Sequence, residues 1–262
     1  MSTPDLRLER AGPLASLVID NPPRRNAIAV MMWQRLMDHC QTIEADGDLL
    51  AVVLTGAGEH FCSGADIGEL AEAFATAEST RRYNALIQQA LDTLAKVNRP
   101  VIAGVEGSCF GGGVSLALQC DRIIAAANAR FAITPAKIGL VYGHADTSRL
   151  VQRVGAPAAK DLLFTGRTLD AASAKGLGLI DDIVDPGEVA RAAERYAGSL
   201  HALSQSSIRA EKRLINSFSA GTATSDQFAA ATDSAAAGPD FTEGRRAFLA
   251  REAPKFPSSD PG

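Results

Sequence analysis

The chain has 262 residues, of which 46% are hydrophobic and 21% are charged, and this suits one α/β unit with a helical extension. The formal net charge of -4 argues against a nucleic-acid-binding protein, in which a basic face normally dominates. The sequence contains no block of like charge and no low-complexity tract, so its composition also excludes an intrinsically disordered chain.

The cysteines and the N-terminus indicate the cellular compartment. The cysteines form no C-x-x-C pair and are too few for a disulfide scaffold, so we expect free thiols at Cys40, Cys62, Cys109 and Cys120. The N-terminal MSTPDLRLER lacks the apolar core of a signal peptide, and the later apolar runs are too short to span a membrane. We therefore expect a cytoplasmic protein without a membrane segment.

The first half of the chain alternates between strand and helix patterns. Two alternating stretches, around Leu6–Glu9 and Ala15–Asp20, predict a hairpin before the turn at Asn21. A helical stripe from Ala27 to about Asp46 precedes a strand at Leu49–Thr55. A second stripe, from Tyr83 to Val97, precedes the apolar strand Val101–Val105. This alternation predicts buried parallel strands.

The second half begins with a glycine run and becomes mostly helical. SCFGGGVSLALQC predicts a helix that opens on glycine, followed by strands at Arg122–Ala126 and around Arg130–Ile133. Further helices are predicted at Ala190–Leu203, at Ser207–Phe218 and in a stretch ending near Arg251. Pro254, Pro257 and Pro261 indicate an irregular tail.

Two glycine-rich segments suggest chemistry because each follows a strand. They are GAGEHFCSGADIGEL, from Gly56 to Leu70, and VEGSCFGGGVSLAL, from Val105 to Leu118. Glycine lets main-chain N–H groups approach a ligand, and a helix that follows adds a positive dipole end, so such loops suit an anion. Phe61 stands where a third Rossmann glycine belongs, and no Walker A pattern occurs, which argues against nucleotide binding. The other interpretation is that the glycines of these two segments only form tight turns.

Together these motifs resemble the enoyl-CoA hydratase/isomerase (crotonase) superfamily. The resemblance rests on G-x-G-x-x-F-x-S-G-A-D-I-x-E-L, the later G-x-x-x-G-G-G, the CDRII strand and AKGLGLID near Gly176, in that order and spacing. It implies an α/β crotonase spiral of ββα units in residues 1–200 and a C-terminal helical trimerisation segment in residues 201–262. It also implies an acyl-CoA substrate, with coenzyme A as part of it and no other cofactor, and a homotrimer or a dimer of trimers.

The resemblance also assigns candidate site residues. The two oxyanion-hole N–H groups fall on Ala65 and Gly112. NPPRRNAI resembles the turn of the family that contacts CoA, so Arg24 and Arg25 are candidates for phosphate contacts, unless they are ordinary surface arginines. The other predicted substrate-binding residues are Ala27, Ser63, Asp66, Ile67, Gly111, Ser115, Thr134 and Pro135. Arg251 and Lys255 are weaker phosphate candidates.

The family pattern breaks where hydratases carry their two glutamates. These positions hold Ser115 and Pro135, with Ala136 beside the second. None of these three side chains can act as a general base near neutral pH. The loop that follows offers Tyr142, His144 and Asp146 as replacements. For Tyr142 the expected role is a hydrogen bond donated into the acyl pocket. The structural alternatives are a surface or packing position for His144 and an N-cap before Thr147 for Asp146.

The predicted function is therefore an acyl-CoA enzyme that stabilises an enolate, with an unsettled proton-transfer residue. TPAKIGLVY also resembles a loop of methylmalonyl-CoA decarboxylase, where CO2 loss forms an enolate without a base and Thr134 or Tyr142 orients the carboxylate. Ala65 departs from that enzyme, which has a histidine there.

Two other interpretations describe proteins without turnover. In a protein that binds acyl-CoA without turnover, Tyr142, His144 and Asp146 would point away from the pocket. In a scaffold protein without CoA affinity, Arg24 and Arg25 would be turned away from the cleft. We expect no metal site from His60, Asp66 and His144, and no nucleophile at Ser115, since the usual ligand spacing and elbow motif do not occur.

Overall fold

The computed structural model describes residues 3–257 and begins with an antiparallel hairpin. Strand β1 (Asp5–Ala11) pairs with β2 (Leu14–Asp20), with Leu6 opposite Ile19. Gly12, in the turn, has a φ of 60°, a left-handed conformation that favours glycine. The predicted hairpin is confirmed.

Seven further strands complete two sheets in the described part of the chain. They are β3 (Ala51–Gly56), β4 (Val101–Val105), β5 (Ser108–Phe110), β6 (Arg122–Ala126), β7 (Arg130–Ala132), β8 (Leu169–Asp170) and β9 (Asp182–Val184). The larger sheet has the order β1-β2-β3-β4-β6-β9 and is parallel from β2 onward. The smaller sheet has the order β5-β7-β8. The prediction of buried parallel strands is confirmed.

The helices lie between and after these strands. They are α1 (Val30–Ala45), α2 (Ile67–Ala73), α3 (Ala77–Ala95), α4 (Gly112–Leu118), α5 (His144–Thr165), α6 (Ala171–Gly176), α7 (Val189–Ser199), α8 (Gln205–Ser219), α9 (Ser225–Ala237) and α10 (Pro239–Ala250). The order β4, β5, α4 is one ββα unit of the predicted spiral. Gly155, with φ 77° and ψ 159°, interrupts α5 just before Pro157.

The core lies between the larger sheet and the helices that cover it. Trp33 and Leu36 of α1 and Leu91 and Leu94 of α3 are almost fully buried in one apolar cluster with β2, β3 and β4. The burial of these two helix faces explains the periodicity of the sequence.

The C-terminal helices α8, α9 and α10 carry several exposed apolar side chains. Ile215 and Phe218 of α8 and Phe248 of α10 are all more than half exposed. The tail after α10 is irregular up to residue 257, and the Lys255 N–H donates to the Glu243 carboxylate at 2.8 Å. Pro261 and residues 258–262 of the predicted C-terminal segment lie outside the described residues, and its boundary at residue 201 stays a prediction. No helix among residues 3–257 is long and apolar enough to cross a bilayer.

Candidate active site

The loop that carries Ala65 is fixed by main-chain hydrogen bonds to the segment before α1. The Ile28 N–H donates to the Gly64 carbonyl at 2.8 Å, and the Asp66 N–H donates to the Ile28 carbonyl at 3.0 Å. Ala65 lies between these two bonds, so the direction of its own N–H is set by the backbone on both sides.

The glycine run is held against the same loop. Gly111 has a φ of 47°, and its N–H donates to the Ala132 carbonyl at 2.9 Å, which ties the run to the end of β7. A Cβ added to Gly113 would lie 2.6 Å from the Cys62 carbonyl oxygen, closer than real Cβ atoms come. Glycine at position 113 is therefore required by the close approach of the two backbones.

Gly112 and Ala65 are neighbours in space. A Cβ added to Gly112 would lie 3.6 Å from the Ala65 main-chain nitrogen. Both residues are partly exposed, and neither N–H has an acceptor among residues 3–257. Two such donors beside each other can hold an oxygen that develops negative charge. Gly112 also opens α4, a short helix.

Ser115 and Tyr142 meet next to the glycine run. The Ser115 hydroxyl donates to the Tyr142 hydroxyl at 2.9 Å, and the Tyr142 hydroxyl donates to the Gly111 carbonyl at 3.2 Å. Burial, followed by the nearby Asp146 charge, raises the pKa of the Tyr142 phenol well above its usual value. Tyr142 is therefore protonated over the physiological pH range and serves as a hydrogen-bond donor.

Asp146 adds a buried carboxyl group to this pair. Its residue exposure is 6%, and its Oδ1 atom has no hydrogen-bond partner among the described residues. Burial raises the pKa of Asp146, while hydrogen bonds from Ser115 and from the Gly143 main chain act in the opposite direction. The structural alternative from the sequence, an N-cap at Asp146, is wrong, because α5 begins at His144 and its N-cap is Gly143. Asp146 instead lies in the first turn.

The arginine turn lies beside the Ala65 loop. Arg24 forms an ion pair with Asp66, whose carboxylate also accepts the Gly68 N–H at 2.9 Å at the start of α2. The Ser63 hydroxyl donates to the Arg24 carbonyl at 2.9 Å. Arg25 is exposed, and its guanidinium has no partner within residues 3–257. The two arginines therefore differ in how freely their charge can meet a ligand.

The remaining predicted substrate-binding residues occupy different environments. Ala27 is buried, and Ile67 is 80% exposed on the first turn of α2. Thr134 and Pro135 are partly exposed at the start of a short 3-10 helix that follows β7. The Gly111 bond to Ala132 brings this segment close to the glycine run.

Among residues 3–257, no hydrogen bond or ion pair joins the side chains of the predicted histidines and C-terminal basic residues to the site residues around Ala65, Gly112 and Tyr142. His144 is exposed at the start of α5, and His60 accepts the Ser108 N–H on its Nδ1 atom at 3.2 Å. Arg251 and Lys255 are exposed near the end of α10. The expectation of no metal site stays a prediction.

Asn26 is a structural residue of the arginine turn that sequence reasoning missed. Its φ is 57°, and its side-chain amide donates to the carbonyls of Ala57 at 2.9 Å and His60 at 2.6 Å. Its side-chain oxygen accepts the Asn21 N–H at 2.9 Å. Asparagine tolerates the left-handed conformation better than most residues, so the Asn directly after Arg24 and Arg25 was the sequence signal for a turn at this position.

Comparison with known proteins gives a consistent result. The enoyl-CoA hydratase/isomerase family profile matches residues 9–259. The short-chain-enoyl-CoA hydratase of Clostridium acetobutylicum is 35% identical over 210 residues, which cover 80% of each chain. The crotonyl-CoA hydratase of Syntrophomonas wolfei is 32% identical over 82% of this chain and 83% of its own.

A solved structure extends the likeness to the fold. An enoyl-CoA hydratase/isomerase family protein from Hyphomonas neptunium superimposes with a TM-score of 0.94, at 42% identity over 97% of both chains. The fold is thus the crotonase fold that the motifs implied. By sequence and by structure, the chain belongs to the enoyl-CoA hydratase/isomerase family.

Proposed function

We propose that this protein is an enzyme that binds an acyl-CoA thioester and stabilises the enolate formed from it. The observation that carries the proposal is the pair of N–H groups of Ala65 and Gly112, which lie side by side and have no acceptor among residues 3–257. When the α-carbon of the acyl group becomes electron-rich, negative charge moves to the thioester oxygen. Two fixed donors hold that oxygen more strongly than the neutral carbonyl.

The CoA part of the substrate is assigned to the arginine turn. Arg25 has a free guanidinium at the surface, and Arg24 stands next to it in its ion pair with Asp66. Arginine suits phosphate oxygens because its planar donors match their geometry. In this proposal the CoA belongs to the substrate, and no other cofactor takes part.

The relatives are named hydratases, but this chain differs from the standard hydratase pattern at both glutamate positions. Ser115 and Pro135 cannot replace two titrating carboxylates, so the proposed reaction is that of a lyase or isomerase of the family whose proton transfer uses other residues. The contacts of Tyr142 and Asp146 with Ser115 favour an enzyme over a protein that only binds acyl-CoA.

Decarboxylation of an acyl-CoA is the second candidate reaction. Its support is Tyr142, a partly buried hydroxyl beside the glycine run, together with the non-titrating Ser115 and Pro135. When CO2 leaves, the electron pair of the broken C–C bond forms the enolate, so no base is needed. A substrate carboxylate beside Tyr142, however, would also approach the Asp146 carboxyl. Repulsion between the two negative charges disfavours decarboxylation whenever Asp146 is ionised.

The protein is also proposed to act in the cytoplasm as a homotrimer or a dimer of trimers, without nucleic-acid or membrane partners. The support for self-association is the exposed apolar surface of α8 and α10, where Phe218 is 73% and Phe248 is 83% exposed. Exposed aromatic side chains are typical of protein interfaces.

The variant Gly112→Pro tests the oxyanion assignment. Gly112 is the first residue of α4, a position that accepts proline, so the variant should fold but lose one N–H donor. We expect product formation from crotonyl-CoA or methylmalonyl-CoA, followed by mass spectrometry of the CoA products, to fall by roughly a hundred- to a thousandfold.

Ser225→Pro is the matched control for this experiment. Ser225 is the exposed first residue of α9, so proline removes the same kind of helix N–H far from the site. We expect the control to keep the activity of the unmodified protein. A folded Gly112→Pro variant with undiminished turnover would overturn the proposal, and acyl-CoA binding without turnover of either substrate by the unmodified protein would favour the binding-only alternative.

A further inference from the structure

A row of polar groups leads from the glycine run into the interior of the protein. The Gly111 carbonyl accepts from Tyr142 at 3.2 Å, and the Tyr142 hydroxyl is 2.9 Å from the Ser115 hydroxyl. The buried Asp146 carboxyl, whose Oδ1 atom has no hydrogen-bond partner among the described residues, comes next in the row, because the Ser115 hydroxyl acts on its pKa and its own charge acts on the pKa of Tyr142. The resemblance to the family puts Ser115 at the position of a hydratase glutamate. Hydroxyl groups can both donate and accept, so this row is continuous for a proton.

Helix α3 supplies a second carboxyl group behind this row. Gln88 donates from its Nε2 atom to Asp92 Oδ1 at 3.0 Å, and its Oε1 atom accepts the Ala145 N–H at 3.3 Å. Gln88 therefore connects Asp92 directly to the first turn of α5. That turn carries Asp146, and the negative charge of Asp92 acts on it.

We propose that Tyr142, Ser115 and Asp146 form a proton relay for the acyl-CoA substrate, and that Asp92 is a positioning residue that sets the pH range of the relay. The inference rests on the proposed function, since it requires an acyl-CoA bound at Ala65 and Gly112. It goes further in naming the path of the proton and an acidic residue outside the loops.

In the direction of enolate formation, the acyl group loses its α-proton to the Tyr142 end of the row. Both hydroxyls first turn from the bonds described above, so that Tyr142 donates to Ser115 and Ser115 donates to the Asp146 carboxylate. The α-proton of the acyl group then passes to the Tyr142 oxygen while the Tyr142 proton passes to Ser115 and the Ser115 proton passes to the Asp146 carboxylate. The C–H electron pair becomes the double bond of the enolate, and the charge rests on the thioester oxygen between the Ala65 and Gly112 N–H groups. The reverse path returns a proton to the α-carbon.

The charges around Asp146 fix the direction of its pH response. The titratable groups that face the relay are Asp92 of α3 and, beside Tyr142, Cys109 of β5, whose thiol pKa burial raises well above its usual value. No cation within residues 3–257 contributes to the pKa of Asp146. Because the Asp92 charge opposes ionisation of Asp146, its removal should lower the pKa of Asp146.

The first test is exchange of the α-protons of butyryl-CoA in D2O, followed by mass spectrometry. We expect the unmodified protein to incorporate deuterium at a rate that rises with pH as Asp146 ionises. Tyr142→Phe and Ser115→Ala each interrupt the row, so each should lower the rate by roughly a hundred- to ten-thousandfold while butyryl-CoA binding persists in calorimetry. Full exchange by both folded variants would overturn the relay.

The second test compares Asp92→Asn with Asp38→Asn. Asp38 is the matched control, because it accepts a hydrogen bond from Gln34 at 3.1 Å across one turn of α1, as Asp92 does from Gln88. We expect Asp92→Asn to move the midpoint of the exchange-pH profile to lower pH, whereas Asp38→Asn leaves it in place. Identical profiles for the two variants would exclude the role of Asp92, since a purely structural residue would change the rate without moving the midpoint.

Failure of this inference differs from failure of the proposed function. If the unmodified protein binds butyryl-CoA but exchanges no deuterium, the relay is wrong and the acyl-CoA site stands. If it binds neither butyryl-CoA nor crotonyl-CoA, the proposed function itself is wrong.

Discussion

The two halves of the candidate site are built in different ways. The loops around Ala65 and Gly112 are held by main-chain hydrogen bonds and by a glycine contact that leaves no room for a side chain. The row of Tyr142, Ser115 and Asp146 is built from side chains of α4, α5 and the segment before α5. The first half is therefore fixed by local backbone geometry, while the second depends on how helices pack and on protonation.

The largest expected effect comes from changing the backbone-built half, with Gly113→Ala. The added Cβ would lie 2.6 Å from the Cys62 carbonyl oxygen and 2.9 Å from its Cβ, and Cys62 is itself held by a hydrogen bond to Ser108. We expect a loss of about 1–3 kcal/mol in the free energy of unfolding, measured by urea denaturation.

Gly176→Ala is the control for that experiment. Gly176 ends α6, and an added Cβ there meets nothing within 4 Å, so the control should keep or slightly increase stability. Equal stabilities for the two variants would show that the Cys62 and Gly113 loops can move apart to admit a side chain. The backbone-built half would then be no more rigid than the side-chain half.

The side-chain half should respond to pH instead, as Asp146→Asn would show. The pKa of Asp146 is raised in the folded protein, so ionisation of this carboxyl opposes folding at pH values above its folded pKa. This cost disappears as the pH falls below the unfolded value of about 3.9. We therefore expect Asp146→Asn to be more stable than the unmodified protein near pH 7, and the gain to shrink towards pH 4.

Urea denaturation across this pH range checks the prediction, with the exposed Asp38→Asn as the control. A stability difference that stays constant from pH 4 to pH 7 would contradict it, because only a titrating group gives a pH-dependent difference.

The sequence predicted which glycine-rich loops form the backbone-built half. Glycines in fixed order mark where backbones approach each other, and Gly113 shows why, since its contact with Cys62 excludes any side chain. The strand and helix patterns that carry these loops were also recognised, because each buries one regular face. Strand β5 was missed because it is only three residues long and lies within the glycine-rich segment.

The side-chain half was only partly predictable. Tyr142 and Asp146 were selected as residues of suitable chemistry near Ser115, but nothing in the local pattern distinguished them from His144, which lies exposed on the same turn. Gln88 and Asp92 lie more than fifty residues from α5, and their link to Ala145 arises from helix packing. Such long-range side-chain contacts leave no periodic signal in a single sequence.

The smallest effect is expected from removing the ion pair of Arg24 with Asp66. This change tests whether side chains add stability to the backbone-built half. The Arg24 side chain is 58% exposed, so solvent screens much of the attraction, and Asp66 keeps its hydrogen bond to the Gly68 N–H without it. We expect Arg24→Gln to lose about 0.2–1 kcal/mol of unfolding free energy, with a smaller loss in 1 M NaCl. Arg25→Gln, which removes an exposed arginine without a partner among residues 3–257, should lose less still. A loss above about 2 kcal/mol for Arg24→Gln that persists in salt would mean that the ion pair, rather than the main-chain bonds around Ile28, orients the Ala65 N–H.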